Sequence, residues 1–283
     1  MPLNFKQELV GVFGQPVAEN PTQAMIEAAF VAMGLDWRYL TIEVRPEDLA
    51  TAVQGAKAMN WRGFNCTIPH KVAVIPLLDR LSPSAQKIGA VNCVIIKEGL
   101  LIGENTDGKG FLQSISAVRS VQGTNAVILG AGGAARAIGV ELALAGAAHL
   151  TIVNRDPARG ETLAALIRKQ TEVPATFVPW EGEYQVAETA DVLINATSIG
   201  LFPDVEARVP LDSASLRPAL LVCDVIPNPP RTRFIRDAEA RGCETLDGLG
   251  MLVNQGVIGI HLWTGQNPDP AVMRLALEAV FTC

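Results

Sequence analysis

The stretch from Ala126 to Asp156 constrains the fold more than any other part of the chain. Four apolar residues predict a short buried strand, and the sequence GxGxxA follows at Gly130, Gly132 and Ala135. The first glycine permits a tight turn, the second lets backbone approach a pyrophosphate, and the small third residue lets a helix pack on the strand. An apolar helix pattern that ends at Gly146, followed by a second strand pattern, completes a strand–helix–strand unit.

This unit predicts a dinucleotide-binding loop. A helix N-terminus presents unpaired backbone N–H groups and a positive dipole end, both of which suit the phosphates of a dinucleotide. An ordinary glycine-rich connection is the alternative, but the flanking strands and helix favour nucleotide binding. The predicted contacts come from Gly130, Ala131, Gly132, Gly133 and Ala134.

The residues after the second strand bear on the choice between NAD and NADP. This position holds Asn154, Arg155, Asp156 and Arg159. The two arginines could clamp the additional phosphate of NADP, whereas Asp156 would repel it and could accept hydrogen bonds from the ribose hydroxyls of NAD. We expect NAD, with NADP as the alternative, because an uncompensated carboxylate beside a phosphate costs more than an idle arginine at an exposed edge.

Length and composition narrow the class of protein. With 283 residues, the chain is long enough for two ordinary domains, and its 49% hydrophobic and 5% aromatic content suits parallel sheets covered by helices. The net charge of −6 and the lack of a Lys/Arg run argue against nucleic acid or an anionic membrane as a partner, so a small-molecule substrate is expected. Neither a signal-peptide pattern nor an apolar stretch long enough to cross a bilayer is present.

The cysteines and histidines predict neither a disulfide framework nor a metal site. The five cysteines are odd in number and have no CxxC spacing, which fits a reducing cytoplasm. His70, His149 and His261 lack metal-ligand spacing and are interpreted as structural. A homodimer is compatible with the sequence, but no feature of the sequence requires one.

Apolar patterns predict alternating strands and helices. The chain is expected to begin with a strand over 8–14 and a helix from about Thr22 to Met33, and later to contain a helix ending near Leu81 and a turn at 82–86. From about Thr124, strands separated by helices predict a parallel sheet. After Asp247 the pattern changes to two helices that return to the first domain.

Four polar clusters fall at strand ends or turns, the edge at which ligands lie in open α/β sheets. Each alone has a structural alternative, since Asn and Asp form turns, Thr and Ser cap helices, and lysine is commonly solvated. The clusters are Asn65 with Thr67 and Lys71, then Asn92, then Asn105 to Asp107, and finally Asn195 to Gly200.

Nine motifs in order resemble the shikimate and quinate dehydrogenase family. They run from Phe13 to Gln255 and read FGQPVA, NCTIPHK, GAVNC, GENTDGKG, LGAGGAAR, NR, NATSIG, DVIPNP and DGLGMLVNQ. The resemblance implies an α/β fold of two domains, a discontinuous α/β substrate domain (1–107 with 247–283) and an inserted Rossmann NAD(P)-binding domain (108–246). It also implies reversible hydride transfer between nicotinamide and an alicyclic hydroxy acid, such as shikimate or quinate.

The resemblance assigns roles to individual residues. Lys71 and Asp107 match the pair that handles the substrate proton; an ammonium near the reacting oxygen can donate a proton and stabilise negative charge, and a carboxylate can hold the ammonium in place. The residues expected to bind ring hydroxyls are Thr67, Asn92 and Gln255. The residues expected to line the cofactor side are Asn195, Thr197, Ser198, Val225, Gly248 and Met251.

The chain departs from the family pattern where the substrate carboxylate is bound. The family has HSxSP after the first strand and a tyrosine after the DxV of the last Rossmann strand, whereas this chain has ENPTQ from Glu19 and a proline at Pro227. Asn20 and Thr22 could each donate a hydrogen bond, but Pro227 has no donor and Glu19 adds repulsion. We therefore predict altered carboxylate recognition, because one lost hydrogen bond to a charged group costs roughly 1.5–3 kcal/mol.

Two other functions remain open on the sequence. The altered loop is compatible with a non-catalytic nicotinamide-binding regulatory protein, although the presence of both Lys71 and Asp107 argues against it. The chain is also compatible with a dehydrogenase that acts on a different ring substrate, such as an aminated or non-carboxylated one.

Overall fold

The chain forms two compact units. The computed structural model describes residues 5–281. One unit comprises the chain up to Thr106 together with the segment from Gln255 onward, and the other comprises Asp107–Asn254. These are called the first and the second unit. We predict that the first unit binds the substrate and that the second binds the cofactor.

The first unit contains a six-stranded mixed sheet. Its first two strands run parallel, as do the first and third, whereas the third, fifth and sixth pair antiparallel. The strands are β1 (Glu8–Gly14), β2 (Trp37–Glu43), β3 (Gly63–Cys66), β4 (Arg80–Leu81), β5 (Cys93–Lys97) and β6 (Leu100–Glu104), in the spatial order β2-β1-β3-β5-β6-β4.

The second unit contains a six-stranded sheet in which all strand pairs are parallel. The strands are β7 (Asn125–Leu129), β8 (His149–Asn154), β9 (Ala175–Pro179), β10 (Val192–Asn195), β11 (Leu221–Asp224) and β12 (Glu244–Leu246). The spatial order β12-β11-β10-β7-β8-β9 reverses direction between β7 and β10. In doubly wound folds, ligands bind beyond the carboxyl ends of the strands at this reversal.

Helices connect many of the strands in both units, whereas β5 and β6 are joined by a tight turn at Glu98 and Gly99. The helices are α1 (Thr22–Ala32), α2 (Leu49–Ala58), α3 (His70–Ala73), α4 (Pro83–Ile88), α5 (Thr106–Ser116), α6 (Gly133–Leu144), α7 (Pro157–Thr171), α8 (Arg233–Glu239), α9 (Gly248–Thr264) and α10 (Pro270–Phe281). None of the helices within residues 5–281 is long and apolar enough to span a membrane.

The cores explain the apolar strand patterns. In the first unit, Phe13 stacks on Phe64 with ring centroids 4.6 Å apart, and Trp61 packs against Phe13 at 5.8 Å. In the second unit, β10 and β11 are buried along their whole length, as expected when helices cover both faces of a parallel sheet. The predicted α/β architecture with a parallel Rossmann sheet is confirmed.

The predicted helix ending near Leu81 is wrong. Helix α3 ends at Ala73, and a 3-10 turn over Ile75–Leu77 leads into β4. Pro76 explains the break, because proline lacks the N–H that a helix needs and disfavours helical backbone at the preceding residue.

The predicted turn at 82–86 is also wrong, because this segment is the start of α4. The hydroxyl of Ser82 accepts a hydrogen bond from the N–H of Ala85 at 3.1 Å, and Pro83 occupies the first turn. Both features are typical of a helix start. The serine hydroxyl satisfies an N–H that has no partner within the helix, and proline lacks the N–H that would be unpaired in the first turn.

Gly63→Ala should destabilise the protein by about 1–3 kcal/mol through overpacking. A methyl group at Gly63 would overlap the carbonyl oxygen of Val94 and would lie 2.6 Å from Cδ1 of Trp263. The matched control is Gly55→Ala on α2, where the nearest atom is 3.9 Å away; it should stabilise by roughly 0.5–1 kcal/mol. Urea unfolding measures both, and equal midpoints for the two variants would contradict the packing at β3.

Candidate functional site

The glycine-rich loop after β7 has the geometry of a phosphate-binding turn. Gly130 has φ of +105°, and its N–H donates to the carbonyl of Val153 at 2.7 Å. Helix α6 starts directly afterwards, and Ala135 is completely buried, as close packing of the helix on the sheet requires. Added Cβ atoms at Gly132 and Gly133 would meet nothing within 4 Å, so the space before the helix N-terminus is open. The loop therefore fits a dinucleotide pyrophosphate.

Asp156 caps the helix that follows β8. Its Oδ1 accepts a hydrogen bond from the N–H of Arg159 at 3.2 Å, and Nδ2 of Asn154 donates to the backbone oxygen of Asp156 at 2.9 Å. The positive end of α7 thus compensates the carboxylate. The premise of the NAD prediction, an uncompensated carboxylate, does not hold, whereas Arg155 and Arg159 are both exposed.

A cavity of about 340 Å³ adjoins Arg155 within the second unit. Trp180 forms part of its wall and donates its indole N–H to the carbonyl of Pro210 at 2.9 Å. A flat aromatic wall beside a guanidinium suits an aromatic ring as ligand. The lining residues are Arg155, Trp180, Gly182, Glu183, Ile199 and Pro210.

The turn after β10 is held by side-chain hydrogen bonds. Asn195 is completely buried, and its Oδ1 accepts from the N–H and the hydroxyl of Thr197, at 3.2 and 2.6 Å. The hydroxyl oxygen of Thr197 in turn accepts from the N–H of Ile199 at 3.1 Å. Ser198, also predicted on the cofactor side, is exposed. Asn195 and Thr197 therefore shape the turn, and Ile199 forms part of the cavity wall.

Asp224 is a buried member of this site that the sequence analysis did not single out. It ends β11, and its Oδ1 accepts from Nδ2 of Asn195 and the N–H of Ile226, both at 3.1 Å. Its Oδ2 accepts from the hydroxyl of Thr232 at 2.7 Å. Burial raises the pKa of Asp224 to about 6, and these hydrogen bonds oppose the rise. The feature of the sequence that could have indicated this residue is a charge directly after the apolar run LLVC.

Two more predicted cofactor residues lie next to this carboxylate. The N–H of Val225 donates to the backbone oxygen of Asn195 at 3.1 Å. Gly248 opens α9, and an added Cβ there would overlap the carbonyl of Ile226, so only glycine allows this approach. Met251 follows within the first turn of the same helix. The carboxyl ends of β10 and β11 thus bring Asn195, Val225 and Gly248 together.

In the first unit, buried amides connect the predicted hydroxyl-binding residues. Asn92 donates from Nδ2 to the hydroxyl of Thr106 at 2.9 Å and accepts from the Thr106 N–H at 2.7 Å. Oε1 of Gln255 lies 3.4 Å from the same hydroxyl. Asn65 donates to the backbone oxygen of Asn92 at 2.9 Å and accepts from the hydroxyl of Tyr39 at 2.7 Å. Tyr39 is a further member that the sequence analysis missed.

Thr67 and Lys71 lie on the segment after β3, close to the end of β1. The N–H of Gln15 donates to the carbonyl of Ile68 at 2.9 Å, which ties the loops after β1 and β3 together. Burial raises the pKa of the Cys66 thiol to about 12, and the nearby ammonium of Lys71 partly offsets this. Lys71 thus belongs to the first unit and Asp107 to the second, and their pairing stays a prediction.

Asn20 and Thr22 lie in the loop that leads into α1. Oδ1 of Asn20 accepts from the N–H of Thr22 at 3.0 Å, so the amide nitrogen is the donor that Asn20 offers to a ligand. Thr22 is buried, with 6% of its surface exposed, whereas Glu19 is exposed.

Within residues 5–281, no group of three or more His, Cys, Asp and Glu side chains could hold a metal ion. Cys66, Cys93, Cys223 and Cys243 are buried, and none of them forms a disulfide within the described part of the chain. Cys283 lies outside the described residues. The cytoplasmic location predicted from the cysteine pattern stays a prediction.

The Rossmann sheet, its open phosphate loop and a second α/β unit rich in buried amides define a two-domain, dinucleotide-dependent enzyme. Three family models match the chain: the shikimate dehydrogenase substrate binding domain over 12–94, shikimate/quinate 5-dehydrogenase over 113–207, and the shikimate 5'-dehydrogenase C-terminal domain over 248–278. The chain belongs to the shikimate/quinate dehydrogenase family, as its motifs predicted.

Relatives differ in their substrates and cofactors. The crystal structure of 5-ketofructose reductase from Gluconobacter sp. strain CHM43 is 58% identical, with a TM-score of 0.95 over 98% of this chain and 100% of that one. The NADP(+) shikimate dehydrogenase of Desulforamulus reducens is 41% identical over 98% of this chain and 96% of its own. The Listeria monocytogenes shikimate 5-dehydrogenase, solved with shikimate and NAD, is 33% identical, with a TM-score of 0.90 over 98% of both chains.

These relatives identify the protein as an NAD(P)-dependent oxidoreductase. They do not support the predicted preference for NAD, because the curated shikimate dehydrogenases it resembles use NADP(+). Altered carboxylate recognition stays a prediction.

Asp224→Asn should change how stability depends on pH. Because burial raises the pKa from 3.8 to about 6, the folded protein keeps a proton that the unfolded chain loses between about pH 4 and 6. This group therefore lowers the free energy of unfolding as pH rises through that window, by on the order of 3 kcal/mol. Urea unfolding from pH 4 to 7.5 should show wild-type stability falling relative to the variant. A constant difference would contradict the burial of this carboxyl.

Proposed function

We propose that the protein is an NADPH-dependent reductase of a polyhydroxy ketone that carries no carboxylate, with 5-ketofructose as the leading substrate. The observation that carries this proposal is the substitution of all three carboxylate donors of the family pattern, at Asn20, Thr22 and Pro227. The 58% identity to the 5-ketofructose reductase supports it, since the shikimate dehydrogenases compared above are 33–41% identical.

The residues at the family's carboxylate-binding positions support a neutral substrate. Asn20 has its amide oxygen engaged by the start of α1, which leaves an uncharged amide as donor. Pro227 offers neither a side-chain donor nor an N–H, and an exposed Glu19 repels anions. Buried amides such as Asn92 both donate and accept, which matches hydroxyl groups better than a carboxylate.

We assign the residues of this site as follows. Thr67, Asn92 and Gln255 bind hydroxyl groups of the substrate. Lys71 donates the proton that the carbonyl oxygen gains on reduction, and Asp107 holds the ammonium in place. The nicotinamide cofactor, when bound, supplies the hydride.

We infer NADP as the preferred cofactor. Arg155 lines the cavity, Arg159 lies in the first turn of α7, and both are exposed, so that they can pair with an additional phosphate. Asp156 opposes this less than its charge suggests, because it caps α7. The loop from Gly130 to Ala134 holds the pyrophosphate, and the cavity takes the adenosine end.

Shikimate oxidation is the second candidate function. The family models and the relatives at about 40% identity favour it, and Thr67, Asn92 and Gln255 occupy the family's hydroxyl-binding positions. A homodimer is compatible with either function.

The substrate proposal is tested by following reduced nicotinamide at 340 nm, the wavelength at which NADPH and NADH absorb. With 5-ketofructose, the purified protein should oxidise NADPH rapidly and NADH more slowly. With shikimate, it should reduce either oxidised cofactor only weakly. Each carboxylate donor lost is worth about tenfold or more in binding. Efficient NADP-linked oxidation of shikimate would overturn the proposal in favour of the second candidate.

A gain-of-function variant provides the matched control. Asn20→Ser with Pro227→Tyr returns two of the three family donors, so kcat/KM for shikimate should rise about tenfold or more while that for 5-ketofructose falls. No gain for shikimate in a folded variant would show that these positions do not set carboxylate recognition.

Lys71→Ala should abolish turnover, with a loss of about two to four orders of magnitude in kcat, because the carbonyl oxygen loses its proton donor. NADPH affinity, measured by fluorescence titration, should stay within about threefold of the wild type. Lys97→Ala, at an exposed position at the end of β5, is the matched control and should be fully active. A near-normal rate in Lys71→Ala would refute the assignment.

A further inference from the structure

We propose that Asp224 is a positioning residue for the cofactor, because its carboxylate holds the turn from Asn195 to Ile199 that forms part of the wall of the cavity beside Arg155. The inference rests on the proposed placement of the adenosine end of NADP(H) in this cavity. It does not depend on which substrate the protein reduces.

The first link is between Asp224 and Asn195. A side-chain amide can be turned either way, with its oxygen or its nitrogen toward a given neighbour. Asp224 removes this freedom, because an ionised carboxylate only accepts hydrogen bonds and therefore selects the Nδ2 side of Asn195, at 3.1 Å. Asn195 is completely buried, so water cannot substitute for this partner.

The second link runs from Asn195 into the turn. Because Nδ2 of Asn195 faces Asp224, Oδ1 of Asn195 faces the N–H and the hydroxyl of Thr197 and accepts a hydrogen bond from each. The hydroxyl oxygen of Thr197 in turn accepts a hydrogen bond from the N–H of Ile199. Nδ2 of Asn195 also lies 3.4 Å from the backbone oxygen of Ile199. Both backbone polar groups of Ile199 are thus tied to Asn195 directly or through Thr197.

The third link is between the turn and the two parts of the nucleotide site. Ile199 lines the cavity together with Arg155 and Trp180. The same turn covers the phosphate loop, since an added Cβ at Gly130 would lie 3.0 Å from both the Ala196 carbonyl oxygen and Cγ2 of Thr197. A flipped Asn195 would turn its NH2 group toward the Thr197 N–H, and this donor–donor contact would displace the turn.

A purely structural role is the alternative reading of Asp224. Its other oxygen accepts from Thr232, whose hydroxyl oxygen also accepts from the N–H of Ile235 at 3.3 Å and so caps α8. If Asp224 acts only there, losing either partner should reduce stability equally and leave cofactor affinity unchanged. Variants that remove the partner of one carboxylate oxygen or of the other can therefore be compared directly.

The test measures the Kd of NADPH and of adenosine 2′,5′-bisphosphate by fluorescence or calorimetry. Asp224→Ala should raise both Kd values about tenfold or more, and should raise the KM for NADPH with little change in kcat at saturation. Asp224→Asn should stay within about threefold, because its Oδ1 can still accept from Asn195 and Ile226 while its Nδ2 donates to Thr232. Thr232→Val should lower stability without raising either Kd.

Thr197→Val provides a second variant, which breaks the series of hydrogen bonds at the end away from Asp224, should Asp224→Ala fail to fold. It should raise both Kd values about fivefold or more, since the N–H of Ile199 loses its link to Asn195 through Thr197. Unchanged affinity in folded Asp224→Ala or Thr197→Val, or equal weakening in Thr232→Val, would overturn the positioning role. Failure of the wild type to bind adenosine 2′,5′-bisphosphate would instead overturn the placement of the cofactor, and this inference with it.

Discussion

The buried carboxylate of Asp224 is the interaction on which the carboxyl edge of the parallel sheet depends. A carboxylate removed from water costs several kcal/mol unless donors replace its hydration. Here the donors come from the end of β10, from the chain after β11 and from the start of α8, through Asn195, Ile226 and Thr232. Because each donor is held in one place, the loops around the nucleotide site inherit their conformation from one buried charge.

In the first unit, neutral buried polar groups at the strand ends form hydrogen bonds with one another. Asn65, Asn92 and Thr106 satisfy one another at the ends of β3, β5 and β6, with Tyr39 completing the series. Such a site presents donors and acceptors in balance, which favours hydroxyl groups as ligands. A shared fold does not determine the substrate, and the proposal of a neutral substrate rests on a few side chains rather than on the fold.

Local patterns predicted the nucleotide unit well, because the turn at Gly130 and the packing of Ala135 are requirements of adjacent residues. They failed at Pro76, where one proline outweighed an apolar helix pattern, and at 82–86, where the start of a helix was taken for a turn. The role of Asp156 could not be predicted from local patterns for a different reason. Its charge was visible, but its use as a helix cap depends on where the carboxylate points.

The sequence by itself determined the α/β class, the dinucleotide loop, the family and the residue types available for chemistry, because each of these depends on neighbours along the chain or on motifs in fixed order. Only the tertiary structure decided which polar side chains share a buried site. Asp224 and Asn195 are 29 positions apart and meet because β10 and β11 pair in register. Hydrogen bonds between strands depend on that register, and no local pattern encodes it.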